Sequence, residues 1–486
     1  MSKRLETRVM RAAPWAVAEA VSNALSGVAS IFVAGWLLTP ADIGRSGIVI
    51  GLVMLVGLAT GLGIQESLIR HRSVHASITD TAFTGLMALG VAGFALCWLI
   101  AAPIGWFFDD PALFSLLGVT SVLLLLNAMM AVPTALLTRK MRANVLTRRM
   151  MLSRISQVVV IGVLGWLGAG AWAMVGGVLI SNALSAIVLW RAMPRVPRLR
   201  FDWGEFRSLA SFGGSMSIEL LLWQGTTRLF ALQIGYFHGV VALGYFQFAQ
   251  RVVEEAGNLI QANVVRFGLS FFADLDRSDR NASRAFLTGT SLITVAGGVL
   301  FIGVALVAGD LVPLIFGARW QPAAPLMQIF AVAAFFPLSR ALAGPLLRAK
   351  GHQNAMVLYG LIACAITLAS GFVTAEQALI VVVLGWGSRN LVSLPWSYVI
   401  VSRYGRIPVR DQLVSAIRPL APMVAMTATV LPTQYLLADA PATLRLASAI
   451  LVGLITAAIT VPLFNWPMIS ELRQRIGRLR GGGADA

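Results

Sequence analysis

The feature that most constrains this chain is a succession of apolar segments, most of them about 20 residues long, separated by short polar connections. At about 1.5 Å per residue, a helix of that length crosses the roughly 30 Å hydrocarbon core of a bilayer. The pattern predicts an all-α integral membrane protein with about fourteen transmembrane helices. The segments cover residues 13–38, 43–68, 79–101, 113–137, 152–167, 171–190, 208–234, 242–267, 285–308, 323–347, 355–373, 378–401, 420–437 and 444–464.

Basic residues lie almost entirely in every second connection between these segments, and the alternate connections hold only Arg319 and Arg445. Cytoplasmic loops are enriched in Lys and Arg, so we expect an even number of helices and both termini in the cytoplasm. The net charge of +17 is then a topology signal, and we expect no nucleic-acid binding. Snorkelling to the interface is the expected role of four arginines near predicted helix ends: Arg45, Arg154, Arg266 and Arg340.

The sequence argues against several classes of enzyme. The predicted outer connections, such as residues 39–42, are too short for a catalytic domain, and the chain has three lysines and no Gly-rich phosphate loop. The four histidines have no clustered ligands, and Cys97 and Cys364 lie inside apolar segments as small core residues. We therefore expect no catalytic site, metal site or cofactor.

Residues 242–272 carry more polar side chains than a lipid-facing helix tolerates. At about 100° per residue, five of them share one side of the helix and Gln250 and Glu255 lie beside them. Ionisable groups at membrane depth must face water, a partner charge or a substrate, so the segment predicts the wall of a polar cavity. The alternative is an internal pair of Arg251 with a glutamate one turn away. The five are Gln247, Arg251, Glu254, Asn258 and Gln261.

An internal repeat appears when the chain is shifted by 200 residues, because three pairs of identical residues fall at corresponding places. The pairs are Glu19 with Glu219, Gly35 with Gly235, and Gly44 with Gly244. Transporters are frequently built from such repeats. We predict an N-terminal bundle (1–190), a basic linker (191–207), a C-terminal bundle (208–401), two further helices (402–465) and a basic tail (466–486).

Five further side chains are candidates for the cavity. Glu19 and Asn23 share a face of the first helix, and Glu219 lies near the middle of the seventh. Arg228 lies on the opposite face from Glu219 unless the helix bends at Gly225. Arg389, deep in the twelfth segment, either reaches the cavity or holds helices together.

Four stretches resemble one known family. Leu37-Leu38-Thr39-Pro40-Ala41-Asp42-Ile43-Gly44 resembles the signature after the first helix of polysaccharide transporters, with Ile43 in place of the usual aromatic residue. Three later stretches resemble the same family in order and placement: residues 242–252, 316–323 and 347–351. The family is that of oligosaccharide flippases in the multidrug/oligosaccharidyl-lipid/polysaccharide superfamily.

The resemblance implies two six-helix bundles around a central cavity that opens alternately to each side of the bacterial inner membrane. The implied cargo is a polyprenyl-diphosphate-linked oligosaccharide for surface polysaccharide, such as exopolysaccharide, capsule or O-antigen. Arginine suits the diphosphate because its planar guanidinium gives bidentate, charge-assisted hydrogen bonds. Membrane lipid is the other expected partner, and a polysaccharide polymerase and export proteins remain open.

Two alternatives come from other functional classes. A cation-coupled multidrug exporter of the same superfamily would use Glu19, Glu219, Glu254 or Glu255 as a H⁺ or Na⁺ site, and coupling to either ion remains open for the flippase too. A membrane-embedded glycan polymerase or ligase would need a larger outer loop than this chain has. The flippase is the preferred interpretation, and it involves no enzymatic step.

Overall fold

The computed structural model describes residues 22–23, 25–71, 73–193, 195–275, 279–350, 352 and 354–465. It describes the backbone alone for residues 212, 214–220, 223, 259–275, 279–282, 349 and 354–357. The described part of the chain is helical. Its helices are α1 (Leu25–Leu37), α2 (Pro40–Gly61), α3 (Ile64–Arg70), α4 (Ala76–Phe107), α5 (Ala112–Thr120), α6 (Val122–Arg139), α7 (Ala143–Trp166), α8 (Ala171–Arg191), α9 (Trp203–Leu220), α10 (Thr226–Leu275), α11 (Asp279–Phe316), α12 (Ala323–Phe335), α13 (Ala343–Ala349), α14 (Asn354–Val373), α15 (Leu379–Gly405), α16 (Val409–Ile417), α17 (Leu420–Leu436) and α18 (Ala442–Phe464).

Ten helical spans in the described residues are long and apolar enough to cross a membrane, and Leu25–Leu37 and Leu358–Val373 are shorter apolar helices. The prediction of an all-α membrane protein is confirmed, while the count of fourteen stays a prediction. One predicted loop is wrong in its bounds, because α11 continues through Pro313 to Phe316 and leaves only a short connection to α12.

The turn between α1 and α2 explains the Thr39-Pro40-Ala41-Asp42 stretch. Thr39 is the N-cap of α2: its hydroxyl accepts from the Asp42 backbone N–H at 3.2 Å, and the Asp42 carboxylate accepts from the Thr39 N–H at 3.0 Å. Pro40 fits the first turn because the backbone N–H that it lacks has no partner inside the helix there. The backbone N–H groups of Thr39 and Asp42 thereby each have an acceptor, and the chain reverses within three residues.

A second reversal interrupts α10 at Gly239, whose φ of 83° and ψ of 170° are not helical. A Cβ placed on Gly235 would lie 3.1 Å from the Leu243 side chain, which a straight helix would hold far away. The chain therefore forms a hairpin here. The break lies between the predicted seventh and eighth segments, and only glycine adopts its backbone angles without strain.

The two hairpins contact each other through glycines that the 200-residue repeat pairs. A Cβ on Gly44 in α2 would collide with the backbone carbonyl of Val240, and a Cβ on Gly244 would collide with the carbonyl of Pro40. Val240 and Pro40 are themselves 200 residues apart, so each half of the repeat places a backbone carbonyl on the other half's glycine. This reciprocal contact requires glycine at both positions because there is no room for a side chain.

The glycines of α2 continue as a row on one helix face, since Gly44, Gly47 and Gly51 follow at spacings of three and four residues. A Cβ on Gly47 would collide with the side-chain amide of Gln247, and one on Gly51 would lie 3.8 Å from Arg228 Cδ. Two polar side chains of α10, Gln247 and Arg228, therefore pack against a face of α2 that has few polar side chains of its own.

Two aspartates, also 200 residues apart, each accept from an arginine. Asp110, between α4 and α5, accepts from Arg45 Nε at 2.6 Å. Asp310 in α11 accepts from Arg445 of α18, whose Nε lies 2.9 Å from both carboxylate oxygens. The expectation that Arg45 snorkels is wrong, because it forms this ion pair. The residue equivalent to Arg45 is Tyr245, so in the second half of the repeat α18 supplies the cation instead.

The basic linker is fixed to the start of α4. The buried Asp80 carboxylate accepts from Arg195 Nη2 at 2.9 Å and from the Arg198 backbone N–H at 3.0 Å. Thr81 donates to Glu205 at 2.9 Å, next to this contact. Two charge-assisted bonds to one buried carboxylate hold the linker against the first half of the chain.

By its contacts the chain divides into two compact units. The first unit comprises residues 1–248 and 371–379, and the second unit comprises residues 249–370 and 380–486. This division follows packing rather than repeat symmetry, so the bundle boundaries drawn from the sequence stay a prediction.

Replacing Gly44 by alanine should destabilise the protein, because the new methyl group collides with the Val240 carbonyl. Overpacking of this kind costs about 1–3 kcal/mol. The apparent melting temperature of the detergent-solubilised protein, followed by tryptophan fluorescence, measures the effect. Gly61→Ala, in the same helix with open space around its Cβ, is the matched control and should leave the melting temperature unchanged or slightly raised. Equal melting temperatures for the two variants would contradict the contact.

Candidate functional site

The polar residues of α10 are divided between the two units. Gln247 belongs to the first unit, where its amide lies against Gly47, and Arg251 and the residues after it belong to the second. Glu254 is exposed and accepts from Gln250 Nε2 at 2.6 Å. Asn258, also exposed, makes a long contact of 3.4 Å to Glu255. The predicted stripe therefore leaves carboxylate and amide groups accessible on the second unit, and Arg251 is half-buried beside them.

Side chains are described for only some of the other predicted site residues. Glu19 lies outside the described residues, and for Glu219 and Gln261 only the backbone is described. Asn23 is half-buried in the first described turn, and Arg228 lies beside Gly51. A π-helical turn, Leu221–Gly225, separates α9 from α10, so the helix is irregular at the place where a bend was considered. Their role in a cavity stays a prediction.

Arg389 of α15 is half-buried and belongs to the second unit. Its guanidinium carbon is 3.9 Å from the centre of the Trp386 ring, one turn earlier on the same helix, which is a cation–π contact. It also interacts electrostatically with Glu254 of α10 and with Arg340. Arg389 therefore lies within electrostatic range of the accessible Glu254 carboxylate and of a second arginine.

The sequence predicted that the Arg340 side chain snorkels to the membrane interface, and this prediction is wrong. Arg340 ends a 3₁₀-helical segment, Phe336–Arg340, between α12 and α13, and its guanidinium carbon is 4.6 Å from the centre of the Tyr359 ring. Its Nε is buried and has no hydrogen-bond partner among the described residues. Arg340 lines a cleft with Tyr359 and Ser397, which we call the Arg340 cleft. This side chain is directed into the second unit rather than to the interface.

Pro337 explains why the helix breaks where Arg340 is presented. Proline has no N–H, so the carbonyl of Ala333, four residues earlier, loses its helical donor. Asn390 of α15 donates to that carbonyl from Nδ2 at 2.9 Å and is itself buried. The Tyr398 hydroxyl donates to Ser339 Oγ at 3.1 Å. The side chains of α15 thus satisfy and fix the broken segment that carries Arg340, as helix breaks at membrane depth require.

The polar face of α15 connects the two arginines. Arg389, Ser393 and Ser397 follow at intervals of four residues and so lie on one side of the helix. Ser393 accepts from the Tyr359 hydroxyl at 2.7 Å, and Ser397 lines the Arg340 cleft. The result is a row of cations, hydroxyls and aromatic rings along the interior of the second unit. Such groups bind and orient an anion or a sugar, and they include no nucleophile–base pair.

Sequence reasoning identified Arg389 but missed Arg340, Tyr359, Ser393 and Ser397 as members of one cluster. The available signal was the fourfold spacing from Arg389 to Ser397 in a segment otherwise apolar. Pro337, three residues before Arg340, was a second signal, because a break at membrane depth is tolerated where it lines a cavity or is buried in protein. The contact of Arg340 with Tyr359 joins residues distant in sequence and has no local signature.

Comparison with known proteins identifies the family. Residues 18–325 match the model of a family described as "Polysaccharide biosynthesis protein", which covers more than half of the chain. The chain belongs to this family. The resemblance deduced from the four sequence stretches is thereby confirmed.

Curated relatives agree with this assignment. The succinoglycan biosynthesis transport protein ExoT of Rhizobium meliloti is 21% identical over 396 residues, which cover 81% of this chain and 80% of the relative. The teichuronic acid biosynthesis protein TuaB of Bacillus subtilis is 20% identical, covering 81% and 80% respectively. The lipopolysaccharide biosynthesis protein WzxC of Escherichia coli is 19% identical, covering 72% of each. The chain is therefore similar to polysaccharide proteins over most of its length.

Solved structures show the fold. The Lipid II flippase MurJ, in an inward closed conformation, matches with a TM-score of 0.75 at 13% identity, covering 94% of this chain and 99% of that protein. An inward-facing multidrug resistance MATE family transporter of the MOP superfamily matches with a TM-score of 0.60 at 13% identity, covering 81% and 96%. The polysaccharide biosynthesis chain thus has the fold of this transporter superfamily.

A double-mutant cycle tests the role of Asn390. Asn390→Ala should lower the free energy of unfolding by about 1–3 kcal/mol, because it leaves the Ala333 carbonyl buried without a donor. In a Pro337→Ala background the same change should cost much less, since the substituted residue supplies the missing backbone N–H. Thermal unfolding of the four proteins in detergent gives the comparison. An equal cost of Asn390→Ala in both backgrounds would show that the Ala333 carbonyl does not depend on Asn390.

Proposed function

We propose that this protein is a flippase that translocates polyprenyl-diphosphate-linked oligosaccharides across the bacterial inner membrane for surface polysaccharide synthesis. Family membership and the names of the relatives support a saccharide cargo. The arrangement that supports a diphosphate lies in the second unit, where Arg389 interacts electrostatically with Arg340 and with the Glu254 carboxylate, and each of the two arginines lies over an aromatic ring. An interior with this charge excess favours an anion, because like charges at low dielectric otherwise repel each other.

The same observation weighs against the cation-coupled drug exporter. A Na⁺ or drug cation bound at Glu254 would experience the positive charge of Arg389, which already interacts with that carboxylate. Bringing a further cation into this environment is unfavourable at low dielectric. The shared transporter fold does not separate the two functions, so the charge of the interior is the discriminating feature. Coupling of the flippase to H⁺ or Na⁺ through other residues stays open.

The proposed mechanism is alternating access by movement of two bundles, with both termini in the cytoplasm as the distribution of basic residues indicates. Places where the helices deform are the π-helical turn Leu221–Gly225 and the 3₁₀ segment Phe336–Arg340. Pro133, in contrast, lies inside the uninterrupted helix α6. The Phe336–Pro337 position is therefore a break in the helix, and the Pro133 position is not.

Deletion of the gene tests the proposed function. Loss of the flippase should remove or reduce surface polysaccharide and cause lipid-linked oligosaccharide to accumulate on the cytoplasmic side of the inner membrane. Chemical analysis of the surface polymer and of the extracted lipid intermediates measures both. Normal surface polysaccharide without accumulation of the intermediate would contradict the proposal, and sensitivity to cationic drugs instead would favour the exporter.

Arg251→Ala should abolish polysaccharide export in the complemented deletion strain while the protein remains inserted in the membrane, because the cavity would lose a cation for the diphosphate. Surface polysaccharide and membrane-fraction immunoblots give the two readouts. Arg410→Ala, at an exposed position at the start of α16, is the control and should export normally. Normal export by the Arg251 variant would remove that residue from the mechanism.

A further inference from the structure

The basic linker between α8 and α9 exposes large apolar side chains and arginines side by side. Four apolar residues are between 50% and 78% exposed, and two exposed arginines lie between them in the sequence. A cluster of exposed apolar side chains marks a surface that contacts a partner or a membrane, because its hydration is unfavourable. We call this set the linker surface: Val196, Arg198, Leu199, Arg200, Phe201 and Trp203.

The segment that carries the linker surface is fixed to α4. Besides the hydrogen bonds to Asp80, the buried Phe206 packs against Gly85, where a Cβ would lie 2.3 Å from the Phe206 ring. The exposed Trp203 ring stacks on Phe206, with ring centroids 6.0 Å apart and an interplanar angle of 26°. The Phe201 ring is 5.3 Å from Phe206 by the same measure. The exposed rings therefore have a buried base, and the surface is ordered before it binds anything.

The contacts with α4 also set the depth of the linker surface in a bilayer. This helix has 32 residues. Its length is roughly 48 Å, about 18 Å more than the hydrocarbon core of a bilayer. When the excess is shared by the two ends, the core begins about six residues into the helix, next to Asp80. The linker surface then lies in the head-group layer, where Trp and Arg are favoured because each has an apolar body and a polar part.

The charges of the segment decide which head groups fit. Arg198 binds Asp80 through its backbone N–H, so its exposed side chain remains available, and the Arg200 side chain is exposed as well. The two acidic side chains of the segment, Asp202 and Glu205, accept hydrogen bonds from neighbouring groups of the protein. The accessible charge of the linker surface is therefore positive. An anionic head group complements it, since a guanidinium forms charge-assisted hydrogen bonds with phosphate.

We infer that the linker surface binds anionic phospholipids of the surrounding bilayer. Its arginines hold the head groups, and its apolar side chains insert among the first segments of the acyl chains. The inference goes beyond the proposed function, because the lipid is part of the membrane and not cargo, and it holds whatever the cargo is. All residues of the surface belong to the first unit, so the site is complete within it.

Lipid quenching in nanodiscs tests the inference. The full-length protein, with Cys97 and Cys364 replaced by alanine, carries an environment-sensitive nitrobenzoxadiazole label on Val196→Cys, one copy per disc. The discs contain phosphatidylcholine and phosphatidylglycerol, and a nitroxide quencher is attached to the acyl chain of one or the other. Phosphatidylglycerol should quench the label more strongly, with a preference of about fivefold for each arginine. The preference should fall as the salt concentration is raised.

Arg198→Gln/Arg200→Gln should remove the preference for phosphatidylglycerol, while quenching by phosphatidylcholine persists. This variant retains the backbone N–H bond to Asp80, so the linker stays fixed to α4. Arg410→Gln/Arg418→Gln, which removes the same charge from exposed positions at the two ends of α16, is the matched control and should keep the preference.

Three results would overturn the inference. Equal quenching by the two lipids in the protein that has both arginines removes the recognition of anions. A label that emits as in water and is quenched by neither lipid shows that the surface faces solvent. A shift to short-wavelength emission only in discs with two copies assigns the surface to a second copy of this chain. Arg200→Gln alone, which should lose about fivefold in preference, carries the test if the double variant does not fold.

Discussion

Burying a charged side chain at membrane depth costs several kcal/mol unless it has a partner charge, a hydrogen bond or water, and this constraint accounts for the ion pairs described above. Asp110 and Asp310 are paired with Arg45 and Arg445. Asp80 binds the linker through Arg195 and a backbone N–H. Arg340 and Arg389 differ, because aromatic rings rather than carboxylates cover them most closely. These three aspartates therefore have arginine or backbone N–H partners, whereas the two arginines of the second unit lie over aromatic rings.

The glycines complement this charge pattern by letting backbones approach. The reciprocal contacts of Gly44 with Val240 and of Gly244 with Pro40 join the two hairpins in a symmetric way. The charged residues do not follow the repeat. Asp110 is paired with Arg45 of α2, whereas Asp310 is paired with Arg445 of α18. The position in α10 that is equivalent to Arg45 is occupied by Tyr245. The repeat is therefore retained in backbone packing and altered in side-chain chemistry. That asymmetry agrees with a polar site carried mainly by the second half of the chain.

Hydrophobic length and the spacing of basic residues predicted the membrane class and the approximate helix positions, because both signals are local in sequence. The Thr39-Pro40-Ala41-Asp42 stretch stood out only by its resemblance to a family signature, and its role as the cap of α2 came from the structure. Arg389 could be selected because it lies deep in an apolar segment. The pairing of Arg45 with Asp110 and the stacking of Arg340 on Tyr359 were missed, since each depends on which helices are neighbours. A position near a predicted helix end suggested snorkelling for both arginines, and the 3₁₀ segment after Pro337 instead directs Arg340 inward.

We propose that the cations of the second unit carry the phosphate end of the lipid during translocation. The most direct measurement is the transfer of a fluorescent short-chain polyprenyl-diphosphate oligosaccharide between leaflets of proteoliposomes containing the purified protein. We expect transfer by the wild type and by Arg410→Gln, and loss of transfer in the Arg340→Gln/Arg389→Gln double variant reconstituted to the same level. Transfer by the double variant at the wild-type rate would show that these arginines do not carry the phosphate end of the lipid.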